Sequence, residues 1–139
     1  MSLNVSNLTV HHGAICAVNQ VSLAVPTGKL AAIIGSNGAG KTTLLRALSG
    51  LNKPTSGVVN WMGETITGVK PEKLVRMGIS HVSEGKSVIP ELTVRENLEL
   101  GAIWRKDAKE MKESLDQVVS IFPRSVSYTH LTLPTKRIV

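Results

Sequence analysis

Aromatic residues, cysteines and long apolar runs are all scarce in this chain of 139 residues. Aromatics make up only 3% of the sequence, so we expect a core built from aliphatic side chains. No apolar run approaches the roughly 20 residues that a membrane-spanning helix needs. Residues 1–10 also lack the basic and apolar segments of a secretion signal. These absences favour a cytoplasmic protein.

Cysteine occurs once, at position 16. A single cysteine excludes a disulfide within the chain. Free cysteines are among the most buried residue types, so we expect Cys16 to be a buried, inert thiol rather than a reactive one.

The basic excess of the chain gives a net charge of +6. Such a balance can favour nucleic acid or an anionic membrane surface. The basic residues are spread along the chain, however, without a basic run or interleaved aromatics, so we expect no nucleic-acid partner. With 42% hydrophobic and 19% charged residues, the composition is that of a folded domain with a real core.

The pattern of apolar residues predicts a mixed α/β order of elements. Segments with alternating or continuous apolar residues predict strands at 3–10, 18–25, 30–34, 58–62 and 79–82. The third of these is continuously apolar, which is typical of a strand buried on both faces. Helical spacing and capping signals predict helices after residue 43 and at 71–77, 93–103 and 106–122.

A phosphate-binding loop is the strongest motif in the sequence. Every fixed position of G-x-x-x-x-G-K-[ST] is matched by Gly35, Ser36, Asn37, Gly38, Ala39, Gly40, Lys41 and Thr42. Glycines let consecutive backbone N–H groups approach phosphates closely, and the following helix adds the positive end of its dipole. Lys41 can reach the β- and γ-phosphates, and the Thr42 hydroxyl can bind Mg²⁺. The motif predicts ATP and Mg²⁺ as cofactors; the alternative is a glycine-rich turn that only caps a helix.

Three segments together resemble one family. The phosphate loop with Thr43 after it, the segment Leu-Thr-Val-Arg-Glu-Asn-Leu at 92–98 and the segment Gly-Ile-Ser-His-Val-Ser-Glu-Gly-Lys at 78–86 resemble ABC-transporter ATPases in order and spacing. The resemblance implies an α/β fold of the P-loop nucleoside triphosphatase type, in its ABC ATPase form. Residues 1–125 would be the N-terminal part of that domain.

The residue at position 84 bears on the subgroup. The family usually has glutamine there; glutamate followed by glycine and a basic residue is similar to the second ATPase of branched-chain amino acid importers. Urea importers are the alternative. The resemblance implies that Glu84 lies near Mg²⁺ and the attacking water and couples the site to a membrane subunit. The alternative is that Glu84 is simply an exposed acidic residue in a loop.

His12 stands where the family usually has a tyrosine that stacks on adenine. An imidazole can still stack, although with less area. The alternative is a surface turn residue. The resemblance therefore implies a nucleotide site made of residues 35–43, His12 and Glu84, with Thr42 and Glu84 at the metal.

The later motifs that this family needs for hydrolysis do not occur in the sequence. The only aspartates, Asp107 and Asp116, do not follow an apolar strand, and neither precedes a glutamate. We therefore expect no catalytic base and no turnover by this chain. The resemblance implies a second ATP-binding subunit and membrane subunits as partners, at the inner face of the plasma membrane. Alternatives are a truncated fragment that only binds nucleotide and a small kinase.

The end of the sequence departs from the family after residue 125. Residues 126–131 resemble the translated end of a transposase-type sequencing adapter. We therefore expect residues 126–139 to be a non-native tail. A genuine strand or a genuine end of the chain is the alternative.

Overall fold

A computed structural model describes residues 3–85, 88–105 and 107–123. The chain divides into two compact units, Met1–His81 and Val82–Val139. The non-native tail predicted at 126–139 lies outside the described residues. Its boundary at residue 125 therefore stays a prediction.

The first unit is built on an antiparallel sheet in the order β2-β1-β3-β4. The strands are β1 (Leu3–His12), β2 (Ile15–Val25), β3 (Ser56–Trp61) and β4 (Glu64–Thr65). A tight turn at Gly13, where φ is 58°, joins β1 to β2. The long β1 strand is central, because β2 pairs with it on one side and β3 on the other. The strands predicted at 3–10, 18–25 and 58–62 are confirmed, with small shifts of their ends.

Aliphatic side chains fill the core of the first unit, as the scarcity of aromatics predicts. Its most buried residues come from the sheet, the two helices of the unit and the segment after β4: Val5, Leu8, Val10, Val18, Leu44, Ala47, Val59, Ile66 and Leu74. Burial of such side chains stabilises a fold by about 1.5–3 kcal/mol each. The core therefore joins the central strands to the helix that follows the phosphate loop.

Two helices complete the first unit. Helix α1 (Lys41–Leu48) turns Leu44 and Ala47 into the core. Just after its C-cap Ser49, Gly50 has a φ of 74°; the Gly50 N–H donates to the Ala47 carbonyl and the Leu51 N–H donates to that of Arg46. Helix α2 (Pro71–Arg76) begins with Pro71 and buries Leu74. Both helices lie where the sequence predicts them.

The second unit contains α3 (Val94–Gly101) and α4 (Ala108–Ile121). A capping box opens α3: the Thr93 side chain accepts from the Glu96 N–H, while the Glu96 carboxylate accepts from the Thr93 N–H. Asp107 caps α4 by accepting from the Lys109 N–H at 2.8 Å. Both helices are confirmed predictions. Of the helices in the described ranges, none is long and apolar enough to cross a membrane.

Two predicted strands are wrong. Residues 30–34 and 79–82 belong to no strand of the described chain. Leu30 and Ile34 are 98% and 92% exposed, against the burial that their apolar run predicts. A strand exists only where another strand pairs with it, and β1–β4 pair with one another instead. The apolar run at 30–34 indicated burial, but it did not specify a neighbouring strand with which to pair.

The predicted burial of Cys16 is also wrong. The thiol is exposed, and its Sγ donates to the Val18 carbonyl at 3.4 Å. The reason is its position on β2, which lies at the edge of the sheet. Composition favours burial of cysteine, but the place of the strand decided the outcome.

Candidate functional site

The phosphate loop connects residue 34 to the start of α1 and packs against β2. Gly40 is the N-cap of α1 with φ at 84°, a left-handed conformation that L side chains rarely adopt. A Cβ at Gly40 would lie 2.1 Å from the Ala17 carbonyl oxygen on β2. Glycine is therefore required at this position both by the backbone angle and by the close approach. Gly38 also has a left-handed φ, 83°, but it has open space around it.

The Lys41 ammonium is folded back over its own loop. Its Nζ donates to the Gly35 carbonyl at 2.8 Å and to the Ser36 carbonyl at 2.7 Å. A turn within the loop, from the Ala39 N–H to the Ser36 carbonyl at 3.2 Å, brings these groups together. An ammonium has three donors, so one remains for a ligand at the mouth of the loop. The charge is thus held in place before any ligand arrives.

The N-terminus of α1 presents unsatisfied donors beside this ammonium. The first bond of the helix joins the Leu44 N–H to the Gly40 carbonyl at 2.8 Å, so the preceding N–H groups lack intrahelical acceptors. Within the described chain, no side chain caps this end, and its first turn holds no acidic residue. Thr42 and Thr43 stand in the same turn, with Thr42 exposed. Free N–H groups at a helix N-terminus form a ready anion site.

The charged side chains in the stretch of sequence that contains the loop are all of one sign. Residues 1–63 contain Lys29, Lys41, Arg46 and Lys53 but no aspartate or glutamate; Glu64 is the first acid of the sequence. No carboxylate from this stretch can therefore neutralise the loop or compete with an anion for its donors. The total of +6 does not reveal this separation, which the order of charges along the chain shows. No sequence motif marks this separation of charges.

A cavity of about 430 Å³ lies beside the loop. Its wall consists of β2 side chains, Leu44 and two stretches of loop backbone and side chains at 32–34 and 39–41. Its lining is largely apolar, with Lys41 as its charged residue. The volume is in the range of small-ligand pockets in proteins. The loop therefore opens beside a space large enough for part of a small ligand.

His12 is brought to the start of α1. Its Nε2 atom lies 3.4 Å from the Thr43 Oγ1 and 3.4 Å from the Asn52 Nδ2. The structure thus brings His12 to the phosphate-loop helix, while its contact with adenine stays a prediction. Asn52 was not a candidate from the sequence, and no motif marks it.

Glu84 belongs to the second unit. It is an exposed residue at a bend, and its neighbours at 86 and 87 lie outside the described residues. In the described ranges, no group of three or more His, Cys, Asp or Glu side chains could hold a metal ion. A hydroxyl and a carboxylate are oxygen donors that suit Mg²⁺ together with phosphate oxygens. The assignment of Thr42 and Glu84 to the metal stays a prediction.

Comparison with known proteins gives one consistent result. The sequence model of a family described as "ABC transporter" matches residues 18–133, a range that extends past the boundary predicted at residue 125. The chain is 36% identical over 122 residues to the high-affinity branched-chain amino acid transport ATP-binding protein BraG of Pseudomonas aeruginosa, covering 88% of this chain and 52% of BraG. It is also 36% identical over 118 residues to the sulfate/thiosulfate import ATP-binding protein CysA of Mycobacterium tuberculosis, covering 84% of this chain and 33% of CysA.

Solved structures agree with this result. An ATP-binding subunit of an ABC transporter is 27% identical with a TM-score of 0.79, over 95% of this chain and 54% of that one. An ATP-binding cassette in its ADP conformation is 25% identical with a TM-score of 0.77, over 93% and 56%. A dimeric cassette bound to ADP and Pi is 25% identical with a TM-score of 0.73, over 95% and 63%. The chain thus spans about half or less of the length of the curated relatives named above.

Proposed function

Since this chain belongs to the ABC transporter family of ATP-binding proteins, we propose that it binds the triphosphate of ATP and is part of an importer ATPase. One observation carries the proposal. The Lys41 ammonium is fixed by the carbonyls of Gly35 and Ser36 at the N-terminus of α1, in a stretch without acids. A phosphate chain there would meet the ammonium, free N–H groups and a helix dipole together.

Each group of residues would bind a different part of the ligand. Backbone N–H groups of residues 35–40 and the start of α1 would bind phosphate oxygens, and Lys41 would bind the β- and γ-phosphates. Thr42 and Glu84 would hold Mg²⁺, which when bound neutralises phosphate charge. The chain's own contribution is a loop fixed in shape by Gly40 against Ala17.

The transported substrate that we propose is a branched-chain amino acid. The first support is the name of BraG, and the second is the glutamate at position 84. The sulfate relative has the same identity, 36%, so a sulfate importer is a competing assignment. A urea importer is the other competing assignment. We further propose a second ATP-binding subunit and membrane subunits as partners, with the protein peripheral at the inner face of the membrane. The dimeric cassette in the comparison supports the first of these.

Hydrolysis by this chain alone is not part of the proposal. Asp107 is engaged as the helix cap of α4, and Asp116 is an exposed residue on the same helix. Neither aspartate follows an apolar strand, and neither precedes a glutamate. We therefore propose that the 139-residue chain binds nucleotide without turnover.

Titration with a fluorescent ATP analogue in the presence of Mg²⁺ tests the proposal. We expect Lys41→Ala to weaken binding at least tenfold, because it removes a charge-assisted contact of roughly 1.5–3 kcal/mol. Lys53→Ala is the matched control, since it removes a cation from the same acid-free stretch but outside the loop. The control should change binding less than twofold. Equal losses in both variants would mean that net charge, and not the loop, attracts the nucleotide.

A further inference from the structure

Both ends of α1 are connected through the ring of His12. The Nε2 atom contacts Thr43 in the first turn of the helix and Asn52 just after its last turn, each at 3.4 Å. These distances are long for hydrogen bonds, so each contact is weak by itself. Their importance comes from what they connect: the end of β1, the phosphate-loop helix and the segment that follows it.

The backbone on both sides of Asn52 is fixed independently. The N–H groups of Leu51 and Asn52 donate to the Arg46 carbonyl at 2.8 and 3.1 Å, which ties the segment to α1. Three residues later, the Thr55 N–H donates to the Thr9 carbonyl on β1 at 2.8 Å. The Asn52 amide therefore approaches the imidazole from a backbone that is anchored to α1 on one side and to β1 on the other.

The chemistry of the pair fixes a protonation state. An amide nitrogen only donates, so a hydrogen bond from the Asn52 Nδ2 to the His12 Nε2 requires the tautomer with its proton on Nδ1. The titratable or charged groups on the elements that contact His12 are cations or groups neutral at pH 7, namely His11, Cys16, Lys41, Arg46 and Lys53. Residues 1–63 contain no carboxylate side chain.

We infer that His12 and Asn52 form a clamp that positions the first turn of α1 for the bound triphosphate, with His12 as a neutral, Nδ1-protonated ring. The inference rests on the proposed function, because the clamp acts through the phosphate loop. It makes Asn52 a positioning residue for nucleotide binding. It also gives His12 a role that differs from stacking on adenine.

The two roles of His12 predict different responses to inorganic tripolyphosphate, which lacks the base. A stacking ring contributes to ATP binding only. A clamp contributes to every ligand that uses the loop. We therefore compare ATP with inorganic tripolyphosphate, each with Mg²⁺, for the chain and for the variants His12→Ala and Asn52→Ala.

We expect both variants to weaken ATP and tripolyphosphate by the same factor, about two- to tenfold, which is the net effect of one or two weak hydrogen bonds. His11→Ala is the control: the hydrogen bond of that ring goes to Thr55, at 3.0 Å, and not to α1, so the change should leave both affinities unchanged. Loss of ATP affinity alone in His12→Ala, or no change in Asn52→Ala, would overturn the clamp.

A nitrogen NMR spectrum of the His12 ring at pH 8 tests the inference without any nucleotide. We expect the Nδ1–H form in the unmodified chain and a shift toward protonated Nε2 in Asn52→Asp, because a carboxylate there accepts instead of donating. A ring protonated on Nε2 in the unmodified chain would overturn the inference. If neither ATP nor tripolyphosphate binds, and Lys41→Ala changes nothing, the proposed function fails while this spectrum still decides the clamp.

Discussion

The backbone conformation of Gly40 helps to determine the shape of the phosphate loop. Two separate features require glycine at position 40: its left-handed φ and its close approach to the Ala17 carbonyl. Gly38 has only the left-handed φ. We expect Gly38→Ala to cost about 1–2 kcal/mol, the usual penalty of a left-handed L residue. Gly40→Ala should cost roughly 1–3 kcal/mol more, because its Cβ would overlap β2.

Urea unfolding of the two variants measures this difference. The comparison is matched, since both substitutions add one methyl group to the same loop at nearly the same φ. A Gly40→Ala variant as stable as Gly38→Ala would show that the loop does not rest on β2. In that case the geometry proposed for phosphate binding would lose its support from the sheet.

The phosphate loop also shows what a sequence can and cannot predict at the scale of residues. Its glycines and Lys41 were predictable because each has a local chemical reason. Asn52 was not, because its role depends on a contact 40 residues away with His12. A polar residue after a helix is common, and only the fold brings this one to the imidazole.

The stability that the capping box gives to helix α3 depends on pH. The Thr93 hydroxyl and the Thr93 backbone N–H both donate to the Glu96 carboxylate, at 2.7 and 2.8 Å, and they lower the pKa of Glu96 below its ordinary value. A lowered pKa in the folded state means that the cap stabilises α3 above the ordinary glutamate pKa. This contribution is lost as pH falls through the lowered value.

NMR titration of the Glu96 carboxyl carbon checks this expectation. Thr93→Val removes the hydroxyl but keeps the shape, so we expect the pKa of Glu96 to rise toward its ordinary value. Thr93→Ser keeps the hydroxyl and should keep the pKa low. If the valine variant titrates like the unmodified chain, the hydroxyl does not cause the shift.

Elements with local signals were predictable, and elements that depend on distant partners were not. Thr93 with Glu96, Pro71 and Gly50 mark helix ends by short-range chemistry, and each helix lies where these signals place it. The strand at 30–34 was predicted from an apolar run alone. Such a run shows that a segment avoids water, but hydrogen-bonded neighbours decide whether it becomes a strand.

The same segment affects the behaviour of the molecule as a whole. Leu30 and Ile34 are almost fully exposed in an uncharged apolar run without proline, which is the pattern of an association-prone segment. We expect the 139-residue chain to self-associate in solution. Ile34→Lys should increase its monomeric fraction, as measured by light scattering at several concentrations.

Ile15→Lys is the control for this prediction. Ile15 is 71% exposed, so its replacement removes a similar apolar surface and adds the same charge at another place. The control should change association much less. Equal effects of the two lysines would point to net charge as the cause of solubility, and the segment at 30–34 would then be irrelevant.

The acid-free stretch of residues 1–63 has a kinetic consequence. A field of one sign attracts an anion before contact, and so it acts on the rate of arrival rather than on the lifetime of the complex. Salt screens such a field over about 8–10 Å at physiological strength. In stopped-flow measurements, rising salt should slow ATP association several-fold and leave dissociation nearly constant, so that the chain captures nucleotide fastest in dilute buffer.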